Sequence, residues 1–217
     1  MTPEELVHNY PVLHHMAEPG SWDAIRQIGL CTTRQLVKDC GLPSDAAAEI
    51  LETRRKASVR LQHPTVGSVT VRDQSPLREH NLAGVTLQEW LALLNDHVFF
   101  WLHPARLDGL LAAKLYRDQA HDVLEVRTRD LLERHGDRVR ITGMNTGATI
   151  FPSSPRRGPD TFMRVKEFPF TERRRGRALK YNAVELAVID GVPDMAELVC
   201  RVERRRGDQV LEVLLER

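Results

Sequence analysis

Read for the spacing of its apolar positions, the chain changes period about half-way along. In the first half, apolar residues recur three or four apart behind capping signals, which is the helical pattern. Thr2-Pro3-Glu4-Glu5 forms a capping box for a short helix, with Thr2 as cap, Pro3 in the first turn and Glu5 reaching back. Ser21 caps a second helix that places Trp22, Ile25 and Ile28 on one face and ends at Gly29. Helical stretches follow over 33–39 and 44–55, and Thr86 with Glu89 makes a second capping box for a helix through Leu94. Pro104 opens another helix to Leu115, and 128–133 reads as one more.

Alternating or short continuous apolar runs mark the strands. Val12 to Ala17 is the first. Residues 59–61 and 69–71 bracket the turn signal Pro64 to Gly67 as a hairpin. His97 to Leu102, the most aromatic segment, reads as a buried strand. Strands over 123–126, 139–141 and 184–189 follow, and 198–203 pairs with 210–215 across Gly207-Asp208 as a closing hairpin. Between them, 142–159 is rich in Gly, Pro, Ser, Thr and Asn and reads as a long loop, a length that in a compact domain often serves function. Helices crowd the first half and strands the second, so the pattern predicts an α+β fold rather than a doubly wound sheet.

Composition narrows the class. A chain of 217 residues, 41% apolar and 28% charged, suits one globular domain with a single sizeable core and is too short for two full domains. A net charge of +1 gives the whole molecule no pull on nucleic acid or membrane, which leaves local patches such as Arg173 to Arg177 and Arg204 to Arg206. Most such runs are solvated surface. Cys31, Cys40 and Cys200 fit no zinc or redox spacing, and their odd number argues against a disulfide framework. The first 20 residues carry Glu4 and Glu5 and no apolar run, against a secretory signal, and no stretch nears the length of a membrane helix. The expectation is a cytoplasmic protein with no membrane contact.

Familiar chemistry is missing: no phosphate-binding glycine loop, no nucleophile elbow, no histidines at metal spacing. His14 and His15 are adjacent, so on a strand they point to opposite faces and cannot chelate one ion together. What remains is isolated polar residues on apolar strands. His15 ends one such strand before a turn and helix. Glu185 is the one carboxylate within Ala183-Val184-Glu185-Leu186-Ala187-Val188, and burying it costs several kcal/mol unless it is paired or used.

Three segments together resemble the ADP-ribosyltransferases. Leu13-His14-His15-Met16-Ala17, with the helix from Ser21 to Gly29-Leu30, is similar to that family's first strand and its helix closing in Gly-Leu. Val98-Phe99-Phe100-Trp101 with Pro104 and Arg106 resembles the aromatic strand of DarT-type, DNA-modifying members, and Glu185-Leu186-Ala187-Val188 before Val192-Pro193 resembles the strand that carries their catalytic Glu. His14 stands where the family usually has Tyr, and Asn145 to Thr149 has no counterpart.

The resemblance implies one ADP-ribosyltransferase-like domain over 1–217. Its core would be a split β-sheet with N-terminal helices, a helical insertion around 31–58 and a closing β-hairpin. It implies NAD⁺ as co-substrate, no metal, and a nucleic-acid or protein acceptor. Glu185 would be catalytic, holding the nicotinamide-side ribose and stabilising charge as the glycosidic bond breaks. His15 would bind a ribose hydroxyl, Phe100 or Trp101 would stack on nicotinamide, and Arg72 would take pyrophosphate or acceptor. Asn145 belongs to a loop in which Gly147 lets backbone donors approach a ligand.

Each residue also has a structural reading. His15 could be a core histidine bonded to backbone, the aromatics could simply fill the core, and Glu185 could pair with Arg72, Arg201 or Lys180. Two other functions stay open: a non-catalytic nucleotide- or nucleic-acid-binding module on the same fold, and a hydrolase using Glu185 and His15 as acid and base.

Overall fold

A computed structural model of the chain describes residues 1–149 and 151–217. The local signals in the sequence become elements close to where they were expected. Thr2 and Glu5 complete their capping box, Thr2 N donating to Glu5 and Glu5 N to Thr2, at the head of α1 (Pro3–Asn9). Strand β1 is Val12–Ala17, followed by α2 (Ser21–Ile28), α3 (Thr33–Asp39) and α4 (Ser44–Glu52). The hairpin is β2 (Val59–His63) and β3 (Gly67–Val71), then α5 (Leu87–Asn95) behind its capping box and β4 (His97–Trp101). Next come α6 (Pro104–Leu111), β5 (Ala120–Arg127), α7 (Thr128–His135) and β6 (Val139–Thr142). After the long loop, α8 (Phe170–Arg174), β7 (Glu185–Ile189), α9 (Met195–Leu198), β8 (Val199–Arg206) and β9 (Gln209–Glu216) complete the chain. Between Thr142, which ends β6, and Pro159, which opens a short 3-10 helix, the expected loop carries no helix or long strand among the described residues, Ile150 lying outside them.

The cap of α2 departs from expectation. Ser21 is inside the helix and Gly20, at φ 85°, is the capping position, with no side-chain cap of its own. The missing acceptor comes from β5: Asp122 Oδ2 accepts from Gly20 N at 2.8 Å and from Trp22 N at 3.2 Å. A fully buried carboxylate at a helix N-terminus is favourably placed against the helix dipole, and Arg204 completes it with Nε 2.9 Å from Oδ1.

The fold is α+β. Seven antiparallel strands form one sheet in the order β6-β7-β4-β1-β5-β8-β9, and β2-β3 stand apart. Alternation sends Leu13, Phe100, Leu124, Leu186 and Val188 into the main core, packed with Leu6, Trp22, Ile25 and Leu131. The opposite face is covered in two places. Leu107 and Leu111 of α6 meet Met16 and Val123, and Trp90 of α5 groups with Leu82, Leu94, Phe99 and Phe162. The expected helical insertion over 31–58 carries α3 and α4, and these continue into the hairpin: Val37, Ile50, Leu51, Leu61, Val69 and Val71 form a separate small core.

Candidate functional site

The sheet is not zipped along its whole width. β1 makes six paired positions with β5, and β4 makes five with β7, but β1 and β4 meet only at His14 and Trp101. Beyond that pair the two strands part. His15 Nδ1 lies 2.8 Å from the Phe99 carbonyl, bridging the gap with a side chain. A carbonyl only accepts, so Nδ1 carries the hydrogen and Nε2 of the neutral ring is left as an acceptor. Burial, seconded by the charge of Arg72, lowers the His15 pKa and keeps the ring neutral.

A cavity of about 600 Å³ opens where the strands part, walled by the end of β1, α2, β3 and the start of β4. His15, Phe99 and the arginines Arg55, Arg60 and Arg72 line it. Arg72 is held by Glu18 (Nε to Oε1, 3.0 Å) and lies 4.8 Å from the centre of the Tyr116 ring. Arg55 is pushed down to about 10 by burial and donates to the carbonyls of Arg72 and Ile50 and to Asn95 Oδ1. Arg60 is exposed and makes no ion pair or side-chain hydrogen bond among the described residues. With Glu18 and Asp73 as the acids on the wall, this end of the cavity favours an anion.

The floor of the cavity depends on Gly29. Its φ is 82°, and a Cβ there would lie 2.5 Å from Pro193 Cα, so backbone strain and lack of space both require glycine. The next residue pairs with the turn after β7: Leu30 N donates to Val192 O and Val192 N to Leu30 O, each at 2.9 Å. The Gly-Leu and Val-Pro segments, far apart in the chain, are thus in contact.

Glu185 occupies a different place. It stands in a row across the sheet, Thr142, Glu185, Trp101, His14, and is only 5% exposed. Its Oε2 accepts from Thr146 N at 3.0 Å and from Thr146 Oγ1 at 2.8 Å. The suggested partners Arg72, Arg201 and Lys180 are not its partners: Arg72 binds Glu18, and Arg201 binds Glu203 and Glu216. Burial raises the Glu185 pKa to about 7 against the opposing pull of the two Thr146 bonds, with Arg157 and Arg106 as weaker charges. Glu185 does not line the 600 Å³ cavity.

The other expected residues divide. Phe100 is 1% exposed in the main core, its ring centre 5.7 Å from that of His15. Trp101 packs with Leu107, Leu111 and Val123 under α6. The aromatic on the cavity wall is their neighbour Phe99, which alternation alone did not single out because the strands part beside it. Asn145 closes its own loop, Oδ1 accepting from Gly147 N at 3.0 Å and its carbonyl accepting from Arg157 at 2.7 Å. The structure therefore brings His15 and Arg72 to one cavity and places Glu185 beneath the long loop that carries Asn145 and Thr146. An acid–base pair of His15 and Glu185 facing one cleft is not formed. Thr146 lies in the polar Asn145–Thr149 segment that the sequence marked as a loop able to line a site, but its bond to Glu185, like the approach of Arg157, acts across a loop whose path no periodicity encodes.

Among the described residues no three His, Cys, Asp or Glu side chains gather as a metal-ligand set, and no helix is long and apolar enough to cross a membrane. Comparison with curated proteins and with solved structures found no match. The model of a family of unknown function (DUF7002) matches residues 11–199, nearly the whole chain, and the chain belongs to that family.

Proposed function

We propose that this member of a family of unknown function is an NAD⁺-dependent ADP-ribosyltransferase on a split-sheet core, with nucleic acid or protein as acceptor. One observation carries the reading. The three segments that resemble the transferases, remote in sequence, lie on neighbouring strands β1, β4 and β7, and a cavity with a cationic wall opens where β1 and β4 part.

In this reading the adenine-side phosphates meet Arg60 and Arg72, and the unprotonated Nε2 of His15 accepts a ribose hydroxyl. Phe99 rather than Phe100 or Trp101 offers its ring to nicotinamide. The C1′–nitrogen bond breaks with its electron pair leaving on neutral nicotinamide, and positive charge grows on the ribose carbon. An acceptor nucleophile then bonds to C1′ and gives up its proton. Glu185 contributes as a fixed carboxylate that binds the ribose 2′-hydroxyl and stabilises the growing charge. Thr146 holds Oε2 with one hydroxyl and one amide, so the 142–149 segment has to yield to the ribose. Only the ionised carboxylate serves, and with a pKa near 7 the rate is expected to rise with pH across neutrality.

A second reading, a binding module without chemistry, draws on the seal over Glu185 and its absence from the cavity wall. Nicotinamide release from NAD⁺, wild type beside Glu185→Gln, with and without nucleic acid, separates the two when run with calorimetry of NAD⁺ binding. Release that depends on Glu185 supports the transferase. Binding without release supports the module, and neither binding nor release removes both.

A further inference from the structure

A second cavity, of about 290 Å³, is lined in part by Gly143 and Met144 of the loop that covers Glu185. Three arginines face it: Arg156, Arg157 and Arg173. Each is tied to backbone carbonyls and, among the described residues, none is ion-paired with a carboxylate. Arg156 Nη2 donates to Leu82 O at 3.2 Å, and Arg173 donates through Nε to Asn182 O at 3.2 Å and through Nη2 to Gly143 O at 2.8 Å. Arg157 donates to the carbonyls of Pro155, Asn145 and Ala148. Asp160 is the one acid on the wall among the described residues.

Carbonyl oxygens satisfy N–H groups but do not neutralise the guanidinium charges, and among the described residues only Arg157 feels a carboxylate, weakly, that of Glu185. Three such charges around one small cavity repel one another, and an anion between them relieves the repulsion. Donors are also left over. A guanidinium has five N–H groups. Arg157 is 2% exposed, yet its Nε has no partner, and Arg156 spends one donor and Arg173 two. Burial lowers the pKa of both Arg157 and Arg173, the cost that a bound anion would remove. Gly143 makes room for the arrangement, since a Cβ there would run into the Arg173 guanidinium.

Charge is also concentrated here. Residues 156–177 hold eight Lys or Arg and three Asp or Glu, in a chain whose net charge is only +1. Arg164, Lys166, Arg174, Arg175 and Arg177, all exposed, lie within four residues in sequence of the lining residues Met163, Phe168 or Arg173.

We infer that the cavity between Arg156, Arg157 and Arg173 is a binding site for a phosphate group. Planar guanidiniums with spare N–H donors match the oxygens of a phosphate, and the exposed basic residues next to its lining residues in sequence suit a phosphate carried on a nucleotide chain as well as a free one. The site needs no step of the transferase reaction and stands or falls separately from it. Arg157 links the two regions, because its Asn145 and Ala148 bonds hold the segment whose Thr146 covers Glu185.

The test uses the full chain with inorganic phosphate as probe. Thermal unfolding is followed in phosphate and in chloride at equal ionic strength, beside calorimetric titration with phosphate. The expected result is a higher Tm in phosphate than in chloride and saturable binding. Arg156→Met, an exposed position with one backbone bond, should fold normally and weaken phosphate binding roughly tenfold, the weight of one charge-assisted hydrogen bond. Arg173→Lys keeps the charge but loses the fork and should also weaken it. Fluorescence anisotropy with a labelled single-stranded oligonucleotide identifies the source. Binding that phosphate displaces and Arg156→Met weakens assigns the site to a phosphodiester chain, and phosphate binding without oligonucleotide binding assigns it to a small phosphate. Equal Tm in phosphate and chloride, with no calorimetric binding, would overturn the inference and leave the arginines as staples of the loop. Nicotinamide release plays no part in these readouts, so failure here leaves the transferase reading untouched.

Discussion

His15 and Glu185 are both polar residues set into apolar strands of one sheet, and the protein treats them oppositely. His15 stands where two strands part, gives its one hydrogen to a carbonyl and lines an open cavity. Glu185 stands where three strands are fully paired and is sealed by Thr146. Both groups are driven toward neutrality by burial, so their linkage to pH has opposite sign. The His15 pKa lies below its ordinary 6.5, so the stability tied to its neutral ring is present above 6.5 and lost as pH falls through the lowered value. The buried His97 and His121 add to this acid limb, their pKa values also lowered by burial. The Glu185 pKa lies above its ordinary 4.5, so its contribution is present below 4.5 and lost as pH rises through about 7. The open end of the sheet tolerates base and the sealed end tolerates acid. A carboxylate held this way costs stability at neutral pH, the usual mark of a group kept for function.

The comparison is tested most severely at Glu185 itself. Glu185→Gln should lower nicotinamide release by about a hundredfold or more. The same variant should be more stable than wild type above pH 7, by about 3 kcal/mol at 1.4 kcal/mol per pH unit, and equal to it near pH 4. Denaturant unfolding at several pH values reads the second effect even if no activity exists. A stability difference that does not grow with pH would remove the sealed, near-neutral carboxylate from the account.

Gly29→Ala breaks the link between the two ends. The added methyl meets Pro193 at a backbone angle that L side chains avoid, and a loss of about 3 kcal/mol in denaturant unfolding is expected. Thr146→Val sharpens the contrast more gently. It deletes the hydroxyl donor that favours ionisation and leaves the amide, so the midpoint of the pH–rate and pH–stability curves should move above 7. A midpoint that stays in place would show that the hydroxyl does not hold the charge. Arg60→Met has the smallest effect expected: Tm unchanged, because Arg60 makes no ion pair or side-chain hydrogen bond among the described residues, and NAD⁺ affinity weaker by roughly fivefold to tenfold in calorimetry.

Much of the local structure was legible because its causes are local. The capping boxes at Thr2 and Thr86 join residues three apart, the Gly207-Asp208 turn joins the two strands beside it, and Gly29 ends its helix through its own backbone angle. Where a cause was distant, the sequence misled or was silent. Ser21 looked like the cap of α2, yet the acceptor is Asp122 on β5. Glu185 invited a cationic partner, yet received a threonine from a loop. The short helix α9 passed unmarked within the apolar approach to β8.

By itself, then, the sequence determined the period of most segments, α8 and α9 excepted, hence their helix or strand state, and it marked His15 and Glu185 as polar residues needing an explanation. Periodicity is a property of neighbours three or two apart, and it says nothing about which strands lie side by side. Only the tertiary structure decided that β1 and β4 part after one pair, that Phe99 and not Phe100 reaches the cavity, and that Glu185 is closed beneath Thr146. Those outcomes rest on desolvation and on hydrogen bonds between remote segments, whose strength depends on distances that exist only once the chain has folded.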